Sequence, residues 1–152
     1  IIASNETIEP IKGGPVNDEE DTEVGYGRVV KLVQPLTLEQ IVRNVKKSLR
    51  ITHVQVASHH DVSKHPIKTI ALCAGSGSGV FRSVKEDVDL YYSAHLSHHE
   101  ILKYKEMGKS VIVCNHSNTE RGYLRDEMSK ILQKEGVECI VSEKDEDPLQ
   151  VM

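Results

Sequence analysis

No stretch of the 152-residue sequence approaches the roughly 20 consecutive apolar residues that a membrane-spanning helix needs, so no such span is expected. Positive charge is also short. Lys and Arg number 19 against 23 Asp and Glu, a formal net charge of −4, which leaves no basic stripe to neutralise nucleic-acid phosphates. Direct DNA or RNA binding is therefore not expected. The Gly-x-Ser-x-Gly elbow, the Cys-x-x-Cys pair and the His-Glu-x-x-His helix are all missing, which removes the serine-hydrolase and zinc-protease readings. Cysteines are few and odd in number. Cys73, Cys114 and Cys139 each fall in an apolar, strand-like run, the setting of small buried hydrophobes in a reducing compartment. No basic and then apolar secretory leader surrounds Ile1, and the sequence reads as a piece of something longer. An intracellular location follows as the expectation, in the cytoplasm, with mitochondrion and nucleus left open.

What is present suits one soluble domain: 38% of residues are hydrophobic and 28% charged. Residues 1–24 hold Gly13-Gly14-Pro15 and the acidic run Asp18-Glu19-Glu20-Asp21 with Glu23, and read as a mobile acidic junction ahead of an α/β domain over residues 25–152. Val29, Val30, Leu32 and Val33 suggest a strand that Pro35 should end. Thr37, with Glu39 or Gln40, is a plausible N-cap for a helix in which Leu38, Ile41, Val42, Val45 and Leu49 recur at helical spacing. Strands are expected near 53–56, 67–73, 90–93, 110–114 and 138–142, and helices over 96–107 and 120–135, stopped by Gly108 and Gly136. This alternation predicts a layered α/β sheet, largely parallel, with helices on its faces.

Chemistry concentrates in Val111-Ile112-Val113-Cys114-Asn115-His116-Ser117-Asn118-Thr119-Glu120-Arg121, a buried strand that delivers a histidine and a carboxylate into the loop opening a helix. In parallel sheets ligands bind at the carboxyl ends of strands. Imidazole nitrogen and carboxylate oxygen suit zinc, iron or manganese, and a four-residue spacing can bring both to one ion. Ser117-x-x-Glu120 equally has the pattern of a capping box, which needs no metal. Spacing does not separate the two readings. Cys73-Ala74-Gly75-Ser76-Gly77-Ser78-Gly79 offers backbone N–H groups to an anion, or simply a tight turn, and lacks the Gly-Lys ending of a phosphate loop. His95, His98, His99 and Glu100 crowd one sheet edge, where a surface or supporting role is the simpler reading. His59-His60-Asp61 sits in a polar connection and reads as a solvated loop.

Taken in order, these segments resemble the NIF-three-like (NGG-one-interacting-factor-three) family over nearly all of residues 25–152. Gly25-Tyr26-Gly27-Arg28 resembles its opening Gly-x-Gly-Arg, residues 35–49 its Leu-Thr-Leu helix, and residues 71–79 its strand followed by Gly-Ser-Gly. His98-His99-Glu100 is similar to a helix start of the family, residues 115–120 to its His-x-x-x-Glu box, and Ser142-Glu143-x-Asp145-x-Asp147-Pro148 to its C-terminal signature. The resemblance implies the C-terminal half of that fold and His116 and Glu120 as metal ligands. It implies two divalent ions per complete site, zinc, iron or manganese, with the other ligands, a His-His pair and an aspartate, on the N-terminal half. Where the family has Thr-Gly followed by an acid, this chain reads Ser93-Ala94-His95, and His95 either replaces it as a supporting donor or simply fills the space. His98, His99 and Ser76 are further candidates for supporting the metals or binding substrate.

By the same resemblance the complete protein is a ring-like homo-oligomer. It would be a di-metal hydrolase that activates water between two cations roughly 3.5–4 Å apart, on a small phosphate-bearing or nucleotide-like substrate. The family has been likened to a GTP cyclohydrolase, although no motif here selects a purine. The competing expectation is an oligomeric protein-interaction module, a partner of transcriptional regulators, whose metals only hold the fold together.

Overall fold

Local sequence and fold agree most directly at the first helix, α1 (Leu38–Leu49). The computed structural model describes residues 7–12 and 24–149. Thr37 caps α1: its hydroxyl accepts the Gln40 N–H at 3.3 Å, and its own backbone N–H donates to Gln40 Oε1 at 2.9 Å. These two bonds satisfy donors that a helix start otherwise leaves orphaned. Leu38, Ile41 and Val45 form the buried stripe, and Arg50 closes the helix in the left-handed region at φ 56°.

Six strands make one sheet: β1 (Thr7–Ile11), β2 (Gly27–Thr37), β3 (Gln55–Ser58), β4 (Pro66–Ser76), β5 (Leu90–His95) and β6 (Ser110–Val113), in the order β1-β2-β4-β5-β6-β3. The central strands β4, β5 and β6 pair in parallel. The flanking pairs, β1 with β2, β2 with β4 and β3 with β6, are antiparallel. The expected parallel sheet with covering helices is thus the centre of a mixed sheet. Side chains alternate across it with a period of two. Val30, Ile70, Leu90, Tyr92 and Ile112 face α1. Val29, Ala71, Tyr91, Val111 and Val113 face the other way, toward Phe81 of the short helix α2 (Ser78–Phe81) and Tyr104 of α3 (His98–Glu106). Tyr91 stacks on Tyr104 at 3.9 Å between ring centroids. Because both faces are covered, the central strands read as near-continuous apolar runs. No helix among the described residues is long and apolar enough to cross a membrane.

After β6 the chain winds through a 3-10 turn (Ser117–Thr119), α4 (Arg121–Tyr123), a π-helical turn (Leu124–Met128) and α5 (Ser129–Lys134). None of these residues is buried.

Four expectations change. Thr7–Ile11, read as part of the junction, pairs as an edge strand with β2, whereas the acidic run 18–23 lies outside the described residues. β2 continues through Pro35 to Thr37. Pro35 is tolerated because the pairing with β4 shifts register between Lys31 and Leu36, and among the described residues no strand partner is registered opposite it. Residues 138–142 form no strand, and Ile140 is 90% exposed. The antiparallel β3 already occupies the free side of β6, where a further parallel strand would have had to add. Accordingly Cys139 is not a core thiol, whereas Cys73 and Cys114 are buried. Burial pushes the Cys114 thiol up to about 11 and raises that of Cys73 as well. At pH 8 a thiol reagent should therefore modify Cys139 quickly and the other two only on unfolding. Fast labelling of Cys114 in the folded protein would contradict this packing.

Candidate metal centre

The carboxyl ends of β4, β5 and β6 meet at one edge of the sheet, and the segments singled out in the sequence leave the strands there. Gly75 takes φ +66° where the β4–β5 register slips between Cys73 and Ser76. Its carbonyl accepts the Ser93 hydroxyl at 3.1 Å. Ser76 and His95 are register partners across β4 and β5. Beyond β6, Asn115 turns the chain at φ 67°. Asn118 Nδ2 then donates to the Cys114 carbonyl at 2.7 Å, and Thr119 Oγ1 donates to the His116 carbonyl at 3.0 Å. Thr119 Oγ1 also accepts the Gly75 N–H at 3.2 Å, which ties the 3-10 turn to the end of β4.

This scaffold places His116 Nε2 3.5 Å from Glu120 Oε2, both side chains about half exposed. Two donors bound to one tetrahedral ion at roughly 2.0–2.1 Å lie about 3.4 Å apart, so the pair fits the bite of a divalent metal. The competing role for Glu120 is not filled. No side-chain hydrogen bond caps the 3-10 turn or α4, and Ser117 Oγ donates instead to the Asp147 carboxylate. The capping box forms elsewhere, at α3: Ser97 accepts the Glu100 N–H at 3.3 Å and Glu100 Oε2 accepts the Ser97 N–H at 3.0 Å. Hydrogen bonds from Ser97 and Ser78 hold the Glu100 carboxyl below the usual carboxylate range. Glu100 is therefore a capping residue that also anchors α2.

His95 does reach the pair, its ring centroid 5.6 Å from that of His116. His98 and His99 stand edge-on to each other at 6.0 Å on the first turn of α3, and among the described residues no ring contact or hydrogen bond joins them to His116 or Glu120. The His59–His60 loop gathers a third ring, with His60 stacked on His65 at 4.0 Å. Asp61 there is occupied with the Ser63 N–H and hydroxyl. Among the described residues no group of three or more His, Cys, Asp or Glu is placed to hold an ion. His116 and Glu120 therefore stand among the described residues as a pair without a third such donor beside them.

Sequence reasoning quoted the acidic C-terminal segment only as a signature and missed its contacts. Asp145 pairs with Arg121 Nε at 2.7 Å, Arg121 also donates to the Glu146 carbonyl at 2.9 Å, and Asp147 takes the Ser117 hydroxyl. That hydrogen bond is the main cause of a lowered Asp147 carboxyl. A pocket of about 400 Å³ lies between this segment and α4, lined by Glu120, Arg121, Leu124, Arg125 and Ser142 among others.

A mixed sheet with parallel centre and helices on both faces defines an α/β protein, with a His-x-x-x-Glu pair at the carboxyl edge of its central strands. The chain belongs to the Duf34/NIF3 (NGG1p interacting factor 3) family, whose model matches residues 3–148. It is 55% identical over 153 residues to the NGG1-interacting factor 3 of Saccharomyces cerevisiae, covering 99% of this chain and 51% of that protein. It is 45% identical over 134 residues to the protein NIF3 homolog of Schizosaccharomyces pombe, covering 84% of this chain and 47% of that protein. The chain thus spans about half the length of these relatives and corresponds to the C-terminal part. Among solved structures, a hypothetical protein of Staphylococcus aureus, SA1388, superposes with a TM-score of 0.65 at 26% identity, over 84% of this chain and 37% of that one.

Proposed function

We propose that this chain supplies part of a two-metal centre, with His116 and Glu120 as ligands, and that the full-length protein uses the centre to hydrolyse a small phosphate-bearing or nucleotide-like substrate. The observation that carries the reading is the His116–Glu120 pair: 3.5 Å apart, at the carboxyl edge of parallel strands, with Glu120 free of the capping duty its spacing suggested. A neutral imidazole nitrogen and a carboxylate on that edge suit zinc, iron or manganese. Bound ions would supply polarisation of a phosphoryl or carbonyl oxygen and activation of water near neutral pH. His116 offers its Nε2 lone pair and Glu120 a compensating negative charge. His95, with its ring centroid 5.6 Å from that of His116, would be a supporting donor. In this reading Ser76, exposed at the end of β4, would bind substrate, and His98 and His99 on the first turn of α3 would have a supporting role. The remaining ligands come from the other half of the length of the relatives, and the assembly is a homo-oligomer.

A second reading has one specific support: the relative at 55% identity is named for interacting with NGG1. In it the protein is an oligomeric partner of transcriptional regulators, and the metals are structural. Metal analysis of the full-length protein beside His116→Ala and Glu120→Gln tests the first reading. Each variant should lose bound metal by more than the roughly 10–100-fold that removal of an outer hydrogen-bond partner costs. Full metal content in His116→Ala would exclude the site. Metal loss with unchanged partner capture, and no turnover by the wild type, would favour the second reading.

A further inference from the structure

The segment from Ser142 to Leu149 has neither helix nor strand and belongs to neither apolar cluster, yet it has a defined course. Its contacts to the rest of the chain include three that converge on the short stretch bearing the candidate ligands. Asp147 accepts the hydroxyl of Ser117, the residue after His116. Asp145 pairs at 2.7 Å with Arg121, the residue after Glu120, and Arg121 in turn donates to the Glu146 carbonyl at 2.9 Å. The segment is stiffened locally as well: Asp147 Oδ1 accepts the Leu149 N–H at 2.8 Å, and Ser142 Oγ accepts the Lys144 N–H at 3.2 Å.

The stretch these contacts grip is irregular, a 3-10 turn passing into a short α-helical turn and then a π turn, with no buried residue. Thr119 and Asn118 fix its middle to Gly75 and Cys114, whereas the side chains of His116 and Glu120 are about half exposed. We propose that Asp147 and the Asp145–Arg121 pair are positioning residues, a C-terminal strap that clamps the His116–Glu120 turn at both ends and sets the separation of the two donors before a metal arrives. The inference rests on the reading of His116 and Glu120 as ligands. It adds that a carboxylate which never touches the ion governs how tightly the ion is held, by sparing the turn the loss of freedom on binding.

The test is Zn²⁺ titration of the metal-stripped full-length protein with a competing chelator indicator, for wild type, Asp147→Asn, Asp145→Asn, Asp147→Glu and His116→Ala, with the unfolding midpoint of each metal-free protein measured alongside. Asp147→Asn should weaken Zn²⁺ binding on the order of tenfold. Asp145→Asn should act in the same direction, and Asp147→Glu should recover part of the loss. The metal-free midpoints should match wild type, because the strap lies outside the core. Wild-type affinity in both Asn variants, or an affinity loss that appears only with a lowered metal-free midpoint, overturns the strap. If Asp147→Asn does not fold, the Asp145→Asn result decides. Wild-type affinity in His116→Ala overturns the ligand assignment itself, so the two failures are told apart.

Discussion

Gly75→Ala is expected to cost the protein on the order of 1–2 kcal/mol of stability and to cripple the candidate metal centre at the same time. The energetic part comes from the backbone. Gly75 sits at φ +66°, where a β-carbon crowds the following carbonyl by about 1–2 kcal/mol. The functional part comes from space. A β-carbon added there would lie 2.9 Å from Glu120 Oε1 and 3.6 Å from His116 Cε1. The carboxylate is the far end of a flexible side chain, so it yields rather than the strand, and in yielding it leaves its 3.5 Å partnership with His116. Urea denaturation should show the stability loss, and Zn²⁺ titration a drop in affinity larger than the lost stability accounts for. Wild-type behaviour in both measurements would mean that the turn and the ligand pair are not in contact as described.

A larger effect on stability alone is expected for Leu90→Ala, about 2–5 kcal/mol. Leu90 is fully buried on β5, between two parallel neighbours, and its side chain joins Ile70 and Ile112 beneath α1. The strands on both sides hold the backbone in place, so the site cannot collapse to refill the space. Leu124→Ala on the π turn is the contrast: that side chain is 57% exposed, and its loss should change stability by no more than about 0.5 kcal/mol. Chemical denaturation of both variants measures the difference directly. Comparable losses would mean that the C-terminal helical stretch is packed far more tightly than its exposure indicates.

What could be read from the sequence was whatever local chemistry decides. The stripe from Leu38 to Leu49 and its cap at Thr37 need only residues four apart, and they stand as read, with Gln40 rather than Glu39 completing the box. The parallel centre followed from the alternation of apolar runs with helical stripes, and with it the edge where Gly75, His95 and His116 meet. What could not be read depends on partners distant in sequence. Pro35 looked like a strand end because the register shift against β4 that accommodates it is a tertiary fact. Residues 138–142 have the composition of a strand, but the place beside β6 where a further parallel strand would add is held by β3. Ser117-x-x-Glu120 and Ser97-x-x-Glu100 are the same pattern, and only the second is a capping box, because Asp147, thirty residues downstream, takes the Ser117 hydroxyl. Conversely, the histidines around His98 suggested chemistry by their number, while their neighbour Glu100 was the residue with a defined structural task.

The place of β3 bears on how the molecule comes to be folded. Among the described residues its only neighbour in the sheet is β6, and the two strands are more than fifty residues apart in sequence. Until β6 has been made and docked, β3 has nothing to pair with, and closing so long a loop makes this a slow pairing compared with the local ones. During synthesis, then, the ladder from β2 through β4 to β5 can assemble first, with β3 exposed as an unpaired edge. The strand that completes the sheet runs straight on into Asn115 and His116. On this order the turn carrying both candidate ligands takes its place beside Gly75 only after β6 has docked, so the expected closing step of folding is also the one that brings these segments together.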